Sequence, residues 1–307
     1  MRVAITGASG LIGTALTERL ESNGHEVLGM RRGSAEQGGH WDPASGWVAP
    51  DVLEGMDALV HLAGASIGTK RWTDARKREL RSSRIDTTRM LVDHLASLDA
   101  PPRTFLCASA VGYYGDREGE LLTETAASGQ GFLADLVRDW EAEARRAERP
   151  GTRVVMTRSG VVLARHEGAF PRMLFPFQMG VGGRIASGQQ WFPWITLEDE
   201  ARAFEFALTH ETLSGPVNFS SPQPVTNREF TRVLGRVLGR PTLFPVPAFA
   251  LKLLLGEMAD DLFASQRVMP SRLMDAGFEF HHADIEDGLR AVLDRPRPSA
   301  SAARGAA

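Results

Sequence analysis

Cysteine is almost absent from this sequence: Cys107 stands alone. No disulfide framework can form within the chain, and a cysteine-based metal site is not expected. In the apolar run TFLCASA, Cys107 reads as a small buried hydrophobe ahead of a nucleophile. The use of a single cysteine fits a reducing, cytoplasmic setting. Lysine is nearly missing too, occurring only at 70, 77 and 252, so any lysine-dependent mechanism has few places to reside. Tyrosine occurs only at 113 and 114, side by side in SAVGYYGDR. There is no surplus of charge. A net of −3 offers neither nucleic acid nor an anionic membrane a reason to bind. The N-terminus lacks the apolar run of a signal peptide, and the longest apolar stretch, Ala248 to Leu255, is interrupted by Lys252 and too short to span a bilayer.

What is present is ordinary for a globular enzyme-sized chain of 307 residues: 43% hydrophobic and 24% charged. Residues 1–110 alternate short β-rich runs with helical patterns. Strands are expected at Arg2 to Ile5, His25 to Met30, Ala58 to Leu62, Arg103 to Ala108 and Arg153 to Arg158. Helices are expected over Leu11 to Ser22, Thr73 to Leu98 and Phe132 to Ala147. Such alternation predicts an α/β fold: a Rossmann-type doubly wound parallel sheet covered on both faces. From Gly168 the texture changes to a Gly-, Pro- and aromatic-rich stretch, then to short helices. The expected organisation is a cofactor-binding domain over 1–165 and a smaller α/β substrate lobe over 166–295. Residues around 195–220 are candidates to return to the first sheet. The tail 296–307 is expected to be mobile.

The strongest local signal is RVAITGASGLIGTAL. Gly7, Gly10 and Gly13 follow a strand and open a helix, with Ser9, Leu11 and Ile12 between and beside them. The spacing suits a tight turn, a close approach of pyrophosphate to the backbone, and close helix–strand packing. After the second strand there is no acid between Val27 and Ala35. Arg31 and Arg32 stand there instead, and two guanidiniums suit a ribose 2′-phosphate, which points to NADP(H) ahead of NAD(H). In HLAGA, Ala63 and Gly64 let the chain pass close to the adenosine.

These residues, with KRWT at 70–73, SRIDTT at 83–88, SAVGYYGD at 109–116, FLADLVRDWE at 132–141, RSGVVL at 158–163 and PFQMGVGGRIASGQQWFPWI at 176–195, resemble the extended short-chain dehydrogenase/reductase superfamily. More narrowly they are similar to its NAD(P)-dependent "epimerase family protein" group, from residue 1 to about 290. The resemblance implies an NADP(H)-binding oxidoreductase or nucleotide-sugar epimerase-like protein, with a sugar nucleotide or carbonyl compound as substrate. It places Leu62, Ala63, Glu79, Arg84 and Val162 near the cofactor. It also implies dimerisation through helices such as 73–98 and 132–147.

One part of that group's usual equipment is missing. The superfamily's reaction centre is a Ser or Thr with Tyr-x-x-x-Lys on a helix, where Lys lowers the Tyr pKa. Here no Tyr precedes a Lys at that spacing. Counting back from Glu141 puts Leu133 and Val137 at the two positions, and neither transfers a proton. Ser109, at a strand end, is the candidate for holding the substrate oxygen. Tyr113, a water or the substrate itself would supply the proton, though Tyr113 also reads as a side chain packed on the lobe. Tyr114 reads as structural. Arg71 and Trp72 suit a loop over the cleft. Gln189, Trp191 and Trp194 either stack on a flat substrate or fill a core. His61 reads as a satisfied core imidazole, Asp42 as a turn cap, and His281–His282 as a solvated turn. No cluster has metal-ligand spacing. A protein that binds NADP(H) without turnover, as sensor or scaffold, is the rival reading.

Overall fold

The computed structural model describes residues 1–149 and 151–294. The expected tail at 296–307 lies outside the described residues. Six parallel strands make the central sheet: β1 (Arg2–Thr6), β2 (Glu26–Met30), β3 (Ala58–His61), β4 (Thr104–Ala110), β5 (Arg153–Ser159) and β6 (Gly215–Phe219). Their order is β6-β5-β4-β3-β1-β2. The chain therefore reverses direction of travel between β1 and β3, and in such sheets ligands bind at the strand ends beside that reversal.

The burial pattern explains why these segments are strands. β1, β3, β4 and β5 are buried on both faces and are rich in Val, Leu, Ile and Ala. One face packs on α1 (Leu11–Ser22) and α6 (Leu197–Thr209), through Ile5, Leu16, Val60, Leu106, Phe204 and Phe219. The other packs on α3 (Ile85–Ser97) and α4 (Phe132–Arg145), through Leu59, Phe105, Leu91, Leu136 and Trp140.

The single helix expected over 73–98 is two. α2 (Asp74–Ser82) ends, and α3 begins after a break at Ser83–Arg84. The Ser83 hydroxyl donates to the Leu80 carbonyl and accepts from the Ala65 N–H, a tertiary bond that holds the break against the loop after β3. The break also turns the Arg84 side chain inward.

The rest of the chain builds a smaller layer against the strand ends. α5 (Phe170–Gln178) and α7 (Asn227–Leu238) share a core with Trp194, Phe192 and Leu289. α8 (Ala248–Leu255) and α9 (Met258–Phe263) follow. Short pairings stitch this layer down: Val161–Leu163 with Trp194–Thr196, and Leu121–Leu122 with Arg267–Val268, both parallel. β6 belongs to the main sheet, paired to β5 from Gly215↔Val155 to Phe219↔Ser159.

Candidate functional site

Sheet register sets the geometry of the site. Thr6 pairs with both Met30 and His61, and His61 with Cys107. The residues that follow, Gly7, Arg31 and Leu62, therefore emerge together at the reversal, with Ser109 two residues further along the neighbouring strand.

At Gly7 the backbone turns with φ +73, and a Cβ there would stand 2.9 Å from the Ala63 nitrogen and 3.0 Å from the Leu62 carbonyl carbon. Only glycine allows both the turn and this approach. A Cβ on Gly13 would overlap the Gly7 carbonyl oxygen, so α1 lies directly on the turn. The Gly10 N–H closes the turn on the Gly7 carbonyl at 3.0 Å. α1 begins beyond Gly10 with no side-chain cap and no acidic residue in its first turn, and Ser9 is exposed beside it. The positive end of the helix is left facing outward over Leu11 and Ile12, which fits a dinucleotide pyrophosphate.

Arg31 and Arg32 are exposed at the end of β2. Arg31 donates to the Gly38 carbonyl at 2.7 Å, and the Arg32 guanidinium lies 5.7 Å from the Trp41 ring centroid. Gly64 is exposed, and a Cβ on it would meet the Arg84 guanidinium carbon at 3.2 Å. Arg84 is buried and stacks over Trp140. Burial, with Arg76 nearby, lowers its pKa to about 10. Val162 is half-buried in the strand after β5. Glu79 is exposed on α2 and pairs with Arg76 at 2.6 Å, and Arg76 in turn donates to the Ser66 carbonyl in the loop after β3.

Beside the cofactor cradle is a buried charged cluster that carries Ser109. The Ser109 hydroxyl donates to Glu141 Oε1 at 2.6 Å. Arg158 donates to both oxygens of the same carboxylate, Nε at 2.7 Å and Nη2 at 2.8 Å. Its third arm, Nη1, donates to the Tyr114 hydroxyl at 3.0 Å, which in turn donates to Asn218 Oδ1 at 2.7 Å. The Tyr113 ring lies flat against the guanidinium, 3.5 Å from centroid to Cζ, within cation–π range. Burial alone would weaken the Arg158 charge; the Glu141 carboxylate outweighs it and holds the guanidinium more firmly protonated than usual. Tyr114 is pushed the other way by burial, above the ordinary phenol range. Tyr113 is half-buried, and among the described residues its hydroxyl has no hydrogen-bond partner.

Glu141 and Arg158 were not singled out in the sequence, although a signal existed. Glu141 falls four residues after Val137 on the buried face of α4, and Arg158 interrupts a strand covered on both sides. A charge at either position demands a buried counter-charge. Leu133 lies against Gly112, and Val137 is buried on the same helix.

The other candidates sort plainly. Trp194 is core; Trp191 is half-buried and stacks with Arg267 at 4.6 Å; Gln189 is exposed. Trp72 is buried edge-on to Phe132, and Arg71 is exposed beside Gly256. His61 is fully buried, its Nδ1 2.6 Å from the Thr6 hydroxyl, and burial followed by the Arg84 charge drops its pKa to about 3. It stays a neutral core imidazole. Asp42 accepts from the Ala44 N–H at 3.0 Å, capping its turn. His281 and His282 both contact Glu198. Among the described residues no group of His, Cys, Asp or Glu could hold a metal ion, and no helix is long and apolar enough to cross a membrane.

A second buried acid lies on the opposite face. Glu200 of α6 accepts from the Ser159 hydroxyl at 2.5 Å, while its other oxygen has no partner. Burial raises its pKa to about 8.

Comparison with known proteins accords with this geometry. The family model for NAD-dependent epimerases/dehydratases matches residues 3–219, and a domain of unknown function, DUF1731, matches residues 246–292. The chain is 46% identical over 297 residues to the epimerase family protein Mb2239 of Mycobacterium bovis, covering 96% of this chain and 98% of that one. The crystal structure of human epimerase family protein SDR39U1 (isoform 2) with NADPH superposes with a TM-score of 0.88 at 34% identity, covering 96% of this chain and all (100%) of that one. A nucleoside-diphosphate sugar epimerase structure from Corynebacterium glutamicum superposes at 0.80 with 35% identity, covering 99% of this chain and 60% of that one. The chain belongs to the NAD-dependent epimerase/dehydratase family, in the group of atypical extended short-chain dehydrogenases/reductases.

Proposed function

We propose that the chain is an NADP(H)-binding oxidoreductase or nucleotide-sugar epimerase-like enzyme that works without a Tyr-x-x-x-Lys pair. One observation carries this reading. The Gly7–Gly13 cradle opens at the strand reversal, two strands from Ser109 and Tyr113 across β3, a span over which a dinucleotide seated on the cradle would bring its reactive end toward those two hydroxyls. The human relative, crystallised with NADPH, supports the cofactor, and the Corynebacterium neighbour supports a sugar nucleotide as substrate class.

In this reading Gly7, Ser9, Gly10, Leu11, Ile12 and Gly13 hold the pyrophosphate, Arg31 and Arg32 the 2′-phosphate, and Leu62, Ala63 and Gly64 flank the adenosine. Glu79, Arg84 and Val162 line the site further in. Residues 1–165 carry the cofactor and 166–294 cover the substrate, in a reducing compartment such as the cytoplasm. When bound, the nicotinamide exchanges a hydride with a carbon that bears oxygen. Ser109 spends its one proton on Glu141, so it offers a substrate its lone pairs: it accepts from a substrate hydroxyl. Tyr113 keeps its hydroxyl uncommitted; in the reducing direction its O–H would give its proton to the oxygen as hydride arrives at the carbon, the new hydroxyl would then donate to Ser109, and solvent would return a proton to the tyrosinate.

Two measurements test the reading. NADPH and NADH are titrated into the protein and into the Arg31→Ala, Arg32→Ala variant. Charge-assisted bonds to phosphate imply a loss of about tenfold or more for NADPH and little change for NADH; equal affinities in both proteins overturn the cofactor assignment. Hydride exchange from 4-labelled NADPH into a panel of carbonyls and sugar nucleotides then tests catalysis. Tight cofactor binding with no exchange across the panel favours a non-catalytic sensor.

A further inference from the structure

The loops that follow β3 and β4 are bridged by a distant part of the chain. The loop after β3 is firm in itself: Trp72 Nε1 donates to the Ile67 carbonyl at 3.1 Å, and Arg76 of α2 donates to the Ser66 carbonyl. The loop after β4 carries Tyr113 and Tyr114 and continues through Gly115 to Glu118. Residues 256–266 reach from the first loop to the second. At one end Lys77 of α2 donates to both carboxylate oxygens of Glu257, and a Cβ on Gly256 would stand 3.2 Å from Arg71 Nη2. At the other end the Ser265 N–H donates to Asp116 Oδ1, the Ser265 carbonyl accepts from the Arg117 N–H, and Gln266 Nε2 donates to the Gly115 carbonyl, each at 3.0 Å. Lys77 also marks what lies beneath. Its ammonium is 5.2 Å from the centroid of the Phe132 ring, and Phe132 opens α4 beside Leu133, which rests on Gly112 just before the two tyrosines.

The two ends of this bridge are held unequally. The Ser265–Gln266 end is stitched in from a second side as well: the Trp191 N–H donates to Ser265 Oγ at 3.1 Å, and the Gln266 N–H donates to the Trp191 carbonyl at 3.2 Å. The Glu257 end is held through side chains, with Lys77 24% and Glu257 48% exposed. An ion pair so open to water adds little to stability and breaks easily. Apolar packing does not make up the difference. α8 has no buried residue, Ala259 is the one buried residue of α9, and Met258 is half-buried. Elements packed this lightly open at low cost. The neighbouring acid Asp260 has its own partner, Lys252 at 2.9 Å, so Lys77 is not shared with it. One end pinned by backbone and the other closed by a single ion pair is the construction of a hinged strap with a catch.

We propose that residues 256–266 are a strap across the reactive end of the bound cofactor, hinged at Ser265–Gln266 and caught by Lys77 on Glu257, and that NADP(H) enters and leaves when the catch opens. This rests on the cofactor reading above, in which the reactive end is brought toward Ser109 and Tyr113 between these two loops. Binding and release of NADPH are followed by stopped-flow fluorescence on the full chain, for wild type, Lys77→Met, Glu257→Gln and Lys77→Arg. A catch gates both directions. Lys77→Met and Glu257→Gln should therefore each raise the association and dissociation rates together, by about two- to fivefold, with affinity kept. Lys77→Arg keeps the ion pair and should keep the wild-type rates. In a second measurement, hydrogen exchange of amides 256–264 should slow when NADPH is added. A direct contact between Lys77 and the cofactor would raise dissociation alone, and that result overturns the strap. So do wild-type rates in Lys77→Met and Glu257→Gln, fast rates in Lys77→Arg, or exchange that NADPH leaves untouched; in each of these cases measured NADPH binding leaves the cofactor reading standing. A wild type that binds no NADPH overturns the cofactor reading and the strap with it.

Discussion

Arg158 and Glu141 meet as a two-pronged pair in the interior, both almost fully buried, with Ser109 hydrogen-bonded to the same carboxylate. Removing one partner strands the other charge out of water, which costs about 3–5 kcal/mol. Arg158→Met and Glu141→Leu should each lower the unfolding free energy, measured by urea titration, by that much. The double variant should lose less than the sum, because no stranded charge remains. Additive losses would show that the two side chains do not act as a pair.

Gly7 and Gly13 have no room for a methyl group. Gly7→Ala puts a Cβ on a left-handed backbone, about 1–2 kcal/mol before any clash, and that Cβ presses on Ala63. Gly13→Ala pushes α1 off the turn. Both should lower the melting temperature and abolish the change in NADPH fluorescence on titration. An alanine variant with wild-type cofactor affinity would remove the cradle from the argument.

Glu200 couples stability to pH. Its folded pKa is about 8 against an ordinary 4.5, raised by burial. Between those values the folded state keeps a proton that the unfolded chain has released. Stability contributed by the neutral carboxyl is therefore complete below pH 4.5 and falls as pH rises toward 8. At about 1.4 kcal/mol per pH unit, the loss across that window is of the order of 5 kcal/mol. Glu200→Gln keeps an acceptor for Ser159 and should flatten that slope, with the gain over wild type largest near pH 8. Parallel stability profiles from pH 5 to 8 would contradict the assignment.

Cys107 should be silent in the folded protein. It is 1% exposed, and burial pushes its thiol far above the ordinary range. Reaction with an aromatic disulfide reagent should be slow in buffer and release one equivalent only after denaturant is added.

The sheet and the cradle could be read from the sequence because they rest on local rules. Gly7 needs a positive φ, and alternating apolar runs and amphipathic helices need a covered parallel sheet. The break at Ser83 could not be read, because residues on both sides keep helical periodicity and the break is held by Ala65, eighteen positions away. α5 was hidden by Pro171 and Pro176, which disguise a helix of nine residues. The Ser109–Glu141–Arg158 cluster joins β4, α4 and β5; each charge is visible in the chain, but their meeting is a matter of packing.

The loop after Tyr114 is paired at Leu121–Leu122 to Arg267–Val268, and Gln266 donates to the Gly115 carbonyl across 151 positions. During synthesis the ribosome delivers Tyr113 and Tyr114 long before the segment that pins them. The sheet can assemble early, but the loop behind the two tyrosines stays unpinned until almost the whole chain has emerged. A chain stopped short of residue 266 would possess the glycine cradle and lack the strand that holds this loop in place.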